Sequence, residues 1–355
     1  MLLNDLWFGL IAVLWIGYFV LDGFDFGVGG LLGVLGRDER GRRVLINTIG
    51  PVWDGNEVWL LVAGGATFAA FPQWYATLFS GFYLPLLAIL VCLIIRAVAF
   101  EYRGKGHSDT WRRNWDWAIV ACSVGPALLW GVAFGSIVRG VPLSSDHEFA
   151  GGVLDLLSPF AVLVGVTTLL LFLTHGAVFV ALKTTEQVRE RANRLAVRLG
   201  VSALVAMAGM VLWQSQLRFD PISMAAGTVA VLGLGLGLVA ARRGRDGWAF
   251  AASAVATGLL VASWFTALYP AVLPSSTDPA GTLTIHNAAS SPYTLTVMTW
   301  VAAIMTPVVL AYQGWTYWVF RRRISTRQIP PSQPAGQAEA QLDDRAATGA
   351  GPASA

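Results

Sequence analysis

The sequence predicts an all-α, polytopic membrane protein with nine transmembrane helices, its N-terminus outside and its C-terminus in the cytoplasm. Its 355 residues are 55% hydrophobic and only 13% charged, whereas soluble domains carry about a quarter charged residues. Nine segments are apolar over roughly the 20 residues that a spanning helix needs. The basic residues also alternate between the loops that join these segments, as they do in multi-pass proteins.

The nine apolar segments are separated by turn and breaker residues, such as Pro72 and Pro221. They cover residues 6–35, 53–71, 77–100, 116–138, 153–182, 195–217, 222–241, 247–270 and 293–320. The first is too long for the apolar part of a cleaved signal peptide, so it is predicted to remain as a span. Residues 1–323 are therefore predicted to form one nine-helix membrane domain. Residues 324–355, rich in Ala, Gly and Pro, are predicted to be a disordered cytoplasmic tail.

The positions of Lys and Arg predict the orientation. The odd-numbered loops and the tail hold 21 of the 24 basic residues, whereas the even-numbered loops hold Arg139 and Arg218. Arg96 lies within an apolar segment. Because basic loops stay in the cytoplasm, this pattern predicts a multi-pass inner-membrane protein, in contact with membrane lipid, whose C-terminus is cytoplasmic.

Composition and motifs exclude several other functions. The net charge of +3 is too small for a nucleic-acid-binding surface. Cys92 and Cys122 lie in apolar segments, where they are expected to pack as small hydrophobic residues. His175 is the one histidine within a span, and a lone histidine among apolar residues is more often a hydrogen-bonded core residue than a ligand. The chain is therefore predicted to ligate no metal and to hold no set of haems by itself. The other histidines fall in loops: His107, His147 and His286.

Two carboxylic acids in the first segment are the strongest candidates for function, because charged groups inside a membrane are costly. Asp22 and Asp25 are three residues apart, so both project from one face of the helix. The glycines around them allow another helix to approach closely. Carboxyl groups in such surroundings suit a proton relay or a cation site, and a purely structural role is the alternative.

A second acidic pair and one arginine are predicted at a similar depth. Asp54 and Glu57 open the second segment, where an acidic residue is favoured by the helix dipole, so capping is the alternative for Asp54. Arg96 does not readily lose its proton and is expected to pair with a carboxylate or to reach the headgroups. The resulting hypothesis is that the two acidic pairs and Arg96 form one cluster, which passes protons or a small cation inward.

Sequence blocks in a fixed order resemble those of subunit II of the cytochrome bd-type quinol oxidases. They extend over roughly residues 5–323 and leave out the tail. They are DGFDFGVG at 22–29, PVWDGNEVW at 51–59, AGGATFAAFP at 63–72, FSGFY at 79–83, RAVAFEYR at 96–103, NWDW at 114–117, GVAFG at 131–135, YPAVLPSS at 269–276 and VMTWV at 297–301.

The resemblance implies a heterodimer with a haem-bearing subunit I, which carries b- and d-type haems and the quinol site and reduces dioxygen to water. Subunit II generally ligates no haem and helps to form the path by which protons enter from the cytoplasm. Asp25 and Asp54 match positions implicated in proton uptake, with Glu57 and Arg96 nearby and Asp22 beside Asp25. Which quinol is used, whether a quinone is bound to this subunit and whether small accessory subunits attach are left open.

The sequence thus favours a subunit of a respiratory quinol oxidase that scaffolds subunit I and contributes a proton path. A proton- or cation-coupled secondary transporter is the leading alternative, since such carriers also hold buried acids on glycine-rich helices. An assembly subunit whose acids are purely structural is a second alternative.

Overall fold

The structure is a computed structural model that describes residues 2–106 and 108–329 of the chain. The described residues are mostly helical, as predicted. The α-helices are α1 (Leu2–Gly30), α2 (Leu32–Leu35), α3 (Glu39–Ile49), α4 (Trp53–Ala70), α5 (Pro72–Gly81), α6 (Tyr83–Tyr102), α7 (Asp109–Arg139), α8 (Pro159–Lys183), α9 (Glu186–Leu217), α10 (Pro221–Arg242), α11 (Asp246–Leu268) and α12 (Pro292–Val319).

The connection between α11 and α12 contains a short antiparallel pair, β1 (Ala271–Leu273) and β2 (Leu283–Thr284). Asn4 at the start of α1 donates a hydrogen bond to the carbonyl of Ile285 in this connection. Single 3₁₀ turns occur at Val153–Leu156, Pro279–Gly281 and Thr326–Gln328.

Eight helices within the described residues are long and apolar enough to cross a membrane: α1, α6, α7, α8, α9, α10, α11 and α12. The predicted count of nine spans is therefore not confirmed. The missing one is α4, which has only 18 residues and carries Asp54, Asn56 and Glu57 in its first turns, so it has no apolar stretch of spanning length that leaves these residues out. The orientation of the two termini stays a prediction.

Several predicted segments differ in their bounds from the helices that form, among them the first and the sixth. The first apolar run was expected to continue to residue 35, but α1 ends at Gly30 and the chain then turns through α2 into α3. The side chain of Asp38 caps α3 by accepting a hydrogen bond from the Gly41 amide. In contrast, α9 begins at Glu186, nine residues before the predicted start, so most of the basic residues expected in that loop lie on a helix.

Helix α1 lies at the centre of the molecule and packs against α4, α7, α8 and α11. Its contact with α8 is close, because a Cβ atom added to Gly27 would lie 2.8 Å from the Cα atom of Gly176. Aromatic rings fill the core on its other side, where Trp15 lies 5.0 Å from both Trp130 and Phe134 between ring centroids. This tight packing fixes the faces from which Asp22 and Asp25 project.

The predicted tail is described only as far as residue 329. Within that part, the amide of Ile324 donates to the carbonyl of Lys183, and Arg327 forms an ion pair of 3.0 Å with Glu186. Residues 330–355 of the predicted tail, and His107 in its predicted loop, lie outside the described residues.

Candidate functional site

A buried ion pair joins the first helix to α6. The Nη2 atom of Arg96 lies 2.6 Å from Oδ1 of Asp22, and both side chains are fully buried. The same Nη2 atom lies 3.2 Å from Oε2 of Glu57 on α4, whose side chain is 22% exposed. The guanidinium also stacks over the ring of Phe26, 4.2 Å from its centroid. Three helices are thus connected at one cation.

Asp25 is buried beside this ion pair but is held by a different partner. Its Oδ2 atom accepts a hydrogen bond of 2.7 Å from Nδ2 of Asn56 on α4. The Oδ1 atom of Asn56 in turn accepts from the Tyr317 hydroxyl, at 2.8 Å, and from Nε2 of Gln313, at 3.2 Å. The indole of Trp59 donates to Gln313. A polar chain therefore runs from Asp25 through Asn56 to α12.

Four predicted site residues thus lie together, and the fifth lies outside the group. Asp22, Asp25, Glu57 and Arg96 line one polar region between α1, α4 and α6. Asp54 is exposed in the first turn of α4, one turn before the part-exposed Glu57. The acids therefore range from exposed to fully buried in the order Asp54, Glu57, Asp22.

Several polar atoms of this group have no hydrogen-bond partner among the described residues, although they are fully buried. They are Oδ2 of Asp22, Oδ1 of Asp25 and both Nε and Nη1 of Arg96. Buried polar atoms are nearly always paired in folded proteins. Both carboxyl groups and the guanidinium therefore have atoms that could hydrogen-bond to a water molecule, and the two carboxyl groups have an oxygen that could take up a proton.

The sequence reasoning missed Asn56, Gln313 and Tyr317. Asn56 lies between the two acids of the block PVWDGNEVW, and this position beside two candidate site residues was a usable signal. Gln313 and Tyr317 are four residues apart on α12 and therefore share a face. Their side chains meet a residue more than 250 positions earlier in the chain, and nothing local indicates that contact.

A second charged cluster lies next to the site at the ends of α3, α6 and α7. Arg103 forms ion pairs with Asp116, at 2.5 Å, and with Glu39, at 2.7 Å, while Arg42 approaches Asp116 at 3.1 Å. Burial acts to lower the pKa of Arg103, but the hydrogen bonds to Glu39 and Asp116 outweigh it and raise the pKa above its ordinary value. Arg103 therefore stays charged, and its ion pairs fasten α3 to the bundle.

His175 is a hydrogen-bonded core residue, as the sequence predicts. Its side chain is fully buried, its Nδ1 atom lies 2.8 Å from Oγ of Ser253, and its Nε2 atom lies 3.2 Å from the carbonyl of Val20. Its ring also stacks on Phe250. Because both ring nitrogens have protein partners, this histidine does not fit the role of a haem ligand. Among residues 2–106 and 108–329, no three His, Cys, Asp or Glu side chains are grouped to hold a metal ion.

The fold and this site define a multi-pass helical membrane protein with a cluster of ionisable side chains between its helices. The model of the family described as cytochrome bd terminal oxidase subunit II matches residues 3–320. The chain belongs to this family, and it is a multi-pass protein of the bacterial inner membrane.

Two curated relatives cover nearly their whole length. The cytochrome bd ubiquinol oxidase subunit 2 of Bacillus subtilis (strain 168) is 42% identical over 331 residues, which span 92% of this chain and 98% of the relative. The cytochrome bd-I ubiquinol oxidase subunit 2 of Escherichia coli (strain K12) is 36% identical over 365 residues, or 92% of this chain and 96% of the relative. Both relatives are named as subunits of an oxidoreductase complex.

A solved structure has the same fold. The structure of bd oxidase from Geobacillus thermodenitrificans aligns with a TM-score of 0.73 and 17% sequence identity. The alignment covers 90% of this chain and 99% of that chain. Family membership implies a catalytic subunit I as partner, with the haems in that partner. It does not favour the secondary-transporter alternative.

Proposed function

We propose that this chain acts as subunit II of a quinol:dioxygen oxidoreductase, in which it scaffolds the haem-bearing subunit I and provides a path for proton uptake from the cytoplasm. The observation that carries the proposal is the buried group of three carboxyl groups and one guanidinium. Asp22 and Glu57 contact Arg96, whereas Asp25 contacts an uncharged amide instead.

The charge balance of this group favours a proton-carrying role for Asp25. Arg96 remains charged, so it offsets one carboxylate. Three ionised acids beside it would leave uncompensated negative charge in an apolar interior, which is costly. A carboxyl group that takes up a proton removes this cost, and Asp25 is the acid that has no contact with the guanidinium. Asp25 is therefore the residue that would accept and release a proton.

The exposure of the acids supports a direction of transfer. Asp54 is exposed and Glu57 is partly exposed in the first turns of α4, whereas Asp22 and Asp25 are fully buried. In the proposed path, Asp54 and Glu57 collect protons at the cytoplasmic surface and Asp25, with Asp22 beside it, relays them toward the oxygen-reducing site. Arg96 would offset the charge of one carboxylate, and Asp22 is the closer of its two partners.

The same region supports a position for subunit I. Leu295 is the one buried residue of α12, a helix that the structure describes in full, and Trp300 on that helix is 70% exposed. Lipid alone could cover such apolar surface. However, Glu57 is partly exposed near the cytoplasmic end of this face, where contact of its carboxyl group with lipid would be costly and contact with water would not. A protein partner over α4, α6 and α12 would remove that cost, so we assign this face to subunit I.

The substitution Asp25→Asn tests the proton path. The amide keeps the shape of the side chain but cannot carry a proton, so oxygen consumption driven by quinol should fall by about tenfold or more. The haem spectra of the purified complex should be unchanged. Asp5→Asn at the opposite end of α1, where Asp5 accepts a hydrogen bond from Tyr269, is the matched control. Normal turnover of an intact Asp25→Asn complex would refute the relay.

Purification and cross-linking test the scaffold role separately. The chain should co-purify with a larger subunit and with a haem d absorption band, whereas a transporter would purify alone and colourless. A photoreactive residue at Trp300 should cross-link to that larger subunit. The same residue at Leu236 on α10, which is 69% exposed, should not. Cross-links from Leu236 and none from Trp300 would place the partner elsewhere.

A further inference from the structure

Four arginines surround a groove between α9 and the turn that follows α1. Arg191, Arg194 and Arg198 project into it from α9, and Arg37 closes it from the segment after α2. The spacing of three and then four residues places the α9 arginines on one face of that helix. The groove is open to solvent on one side and has a volume of about 150 Å³.

The groove lies at the border between apolar and charged sequence. Arg37 is the first charged residue after α1 and α2, and Arg198 is the last one before the uncharged run 199–217 of α9. Arginines at such positions lie at the level of the lipid headgroups. Three aliphatic side chains form the rest of the lining: Val34, Leu35 and Leu195. Val34 is 59% exposed, so the groove continues onto apolar surface.

The positive charge in this groove is poorly neutralised by the protein. Arg194 lies 3.8 Å from Glu190, but both side chains are about two-thirds exposed, and such surface pairs contribute little. Arg191 donates to the uncharged amide of Gln187. Asp38, next to Arg37, is used as the cap of α3. The nearby Arg189 is directed away from the groove, toward Asp246.

We propose that this groove binds the headgroup of an anionic phospholipid from the leaflet on the basic side of the protein. The guanidinium groups would hold the phosphodiester, since planar donor pairs suit phosphate oxygens. Val34 and Leu195 would contact the first part of the acyl chains. Basic pockets between helix ends on the cytoplasmic side are typical binding places for such headgroups. A free phosphate ion could use the same arginines, but it would make no use of the aliphatic lining.

The double substitution Arg37→Gln/Arg198→Gln tests this site in the purified complex. Both side chains are exposed, so the fold should not depend on them. The matched control is Arg242→Gln/Arg243→Gln, which removes the same charge from exposed positions at the end of α10. Native mass spectrometry would measure the binding of dioleoylphosphatidylglycerol, with zwitterionic dioleoylphosphatidylcholine as the counterpart of zero net charge and inorganic phosphate as competitor.

Phosphatidylglycerol should bind the wild type and the control variant with the same affinity, and the groove variant about tenfold or more weakly. Phosphatidylcholine should bind all three proteins equally, and inorganic phosphate should not displace the lipid. Equal binding of phosphatidylglycerol to the groove variant would overturn the proposal. Displacement of the lipid by inorganic phosphate would overturn it too, because the groove would then be a site for a soluble anion.

Discussion

The carboxyl group of Asp25 is held by the side-chain amide of Asn56, whose Nδ2 atom donates a hydrogen bond of 2.7 Å to Oδ2. Asn56 is itself fixed from α12, because its Oδ1 atom accepts hydrogen bonds from Tyr317 and Gln313. One amide thus sets the orientation of the acid on α1 and joins three helices. Asn56 is therefore a positioning residue for the proposed proton path.

The substitution Asn56→Ala should both slow turnover and destabilise the complex. It leaves Asp25 and Tyr317 without their shared partner in a buried region, and an unsatisfied buried polar group costs about 1–3 kcal/mol. Thermal denaturation and quinol-driven oxygen consumption of the purified complex measure the two effects. Asn114→Ala on α7, at an exposed position, should change neither. An unchanged rate and melting temperature for Asn56→Ala would show that the amide does not position Asp25.

The substitution Arg96→Gln should be among the most damaging in the chain. Removing one partner of a buried ion pair leaves an uncompensated charge, which typically costs about 3–5 kcal/mol. The double variant Asp22→Asn/Arg96→Gln removes both charges and should recover part of the lost stability. The yield and melting temperature of the complex measure both variants. If the double variant is as unstable as the single one, the cost arises from lost packing of the guanidinium against Phe26 and not from charge.

The sequence was sufficient to predict the members of this group but not their pairing. Asp22, Asp25, Glu57 and Arg96 could be predicted because charge is rare in apolar segments and because a spacing of three selects one helix face. Which acid meets Arg96 depends on how α1, α4 and α6 are rotated against one another. Helix periodicity does not define that rotation. Only the packed structure shows that Asp22 contacts the guanidinium of Arg96, whereas Asp25 contacts the side chain of Asn56.

The differences in the fold have equally local causes. The first apolar run continues beyond Gly30 through Leu31, Leu32, Val34 and Leu35, so hydropathy alone does not mark the end of α1. The start of α9 was missed for the opposite reason. The polar residues 186–194 predict a loop, but they form the first turns of α9, with Val188 and Ala192 buried, and the helix continues into the apolar segment. Polarity at the membrane surface therefore does not distinguish a loop from an extended helix.

The close crossing of α1 and α8 predicts that Gly27→Ala will be poorly tolerated. The added Cβ atom would overlap the carbonyl oxygen of Phe172 and lie 2.8 Å from the Cα atom of Gly176. Backbone cannot move aside as a side chain can, so the helices must separate, at a cost of about 1–3 kcal/mol or more. Gly9→Ala on the same helix meets nothing within 4 Å and is the control. Equal melting temperatures for the two variants would contradict this crossing.

The hydrogen bonds of His175 predict that its removal will affect stability and not haem content. In His175→Leu, the partner Ser253 loses its contact and the stacking on Phe250 is replaced by an aliphatic side chain, so the complex should lose about 1–3 kcal/mol of stability. The optical spectrum of the co-purified complex should keep its b- and d-type haem bands in the wild-type ratio. His286→Leu, at an exposed position, should leave both measurements unchanged. Loss of a haem band from an intact His175→Leu complex would mean that this ring is a ligand, in conflict with both of its nitrogen contacts.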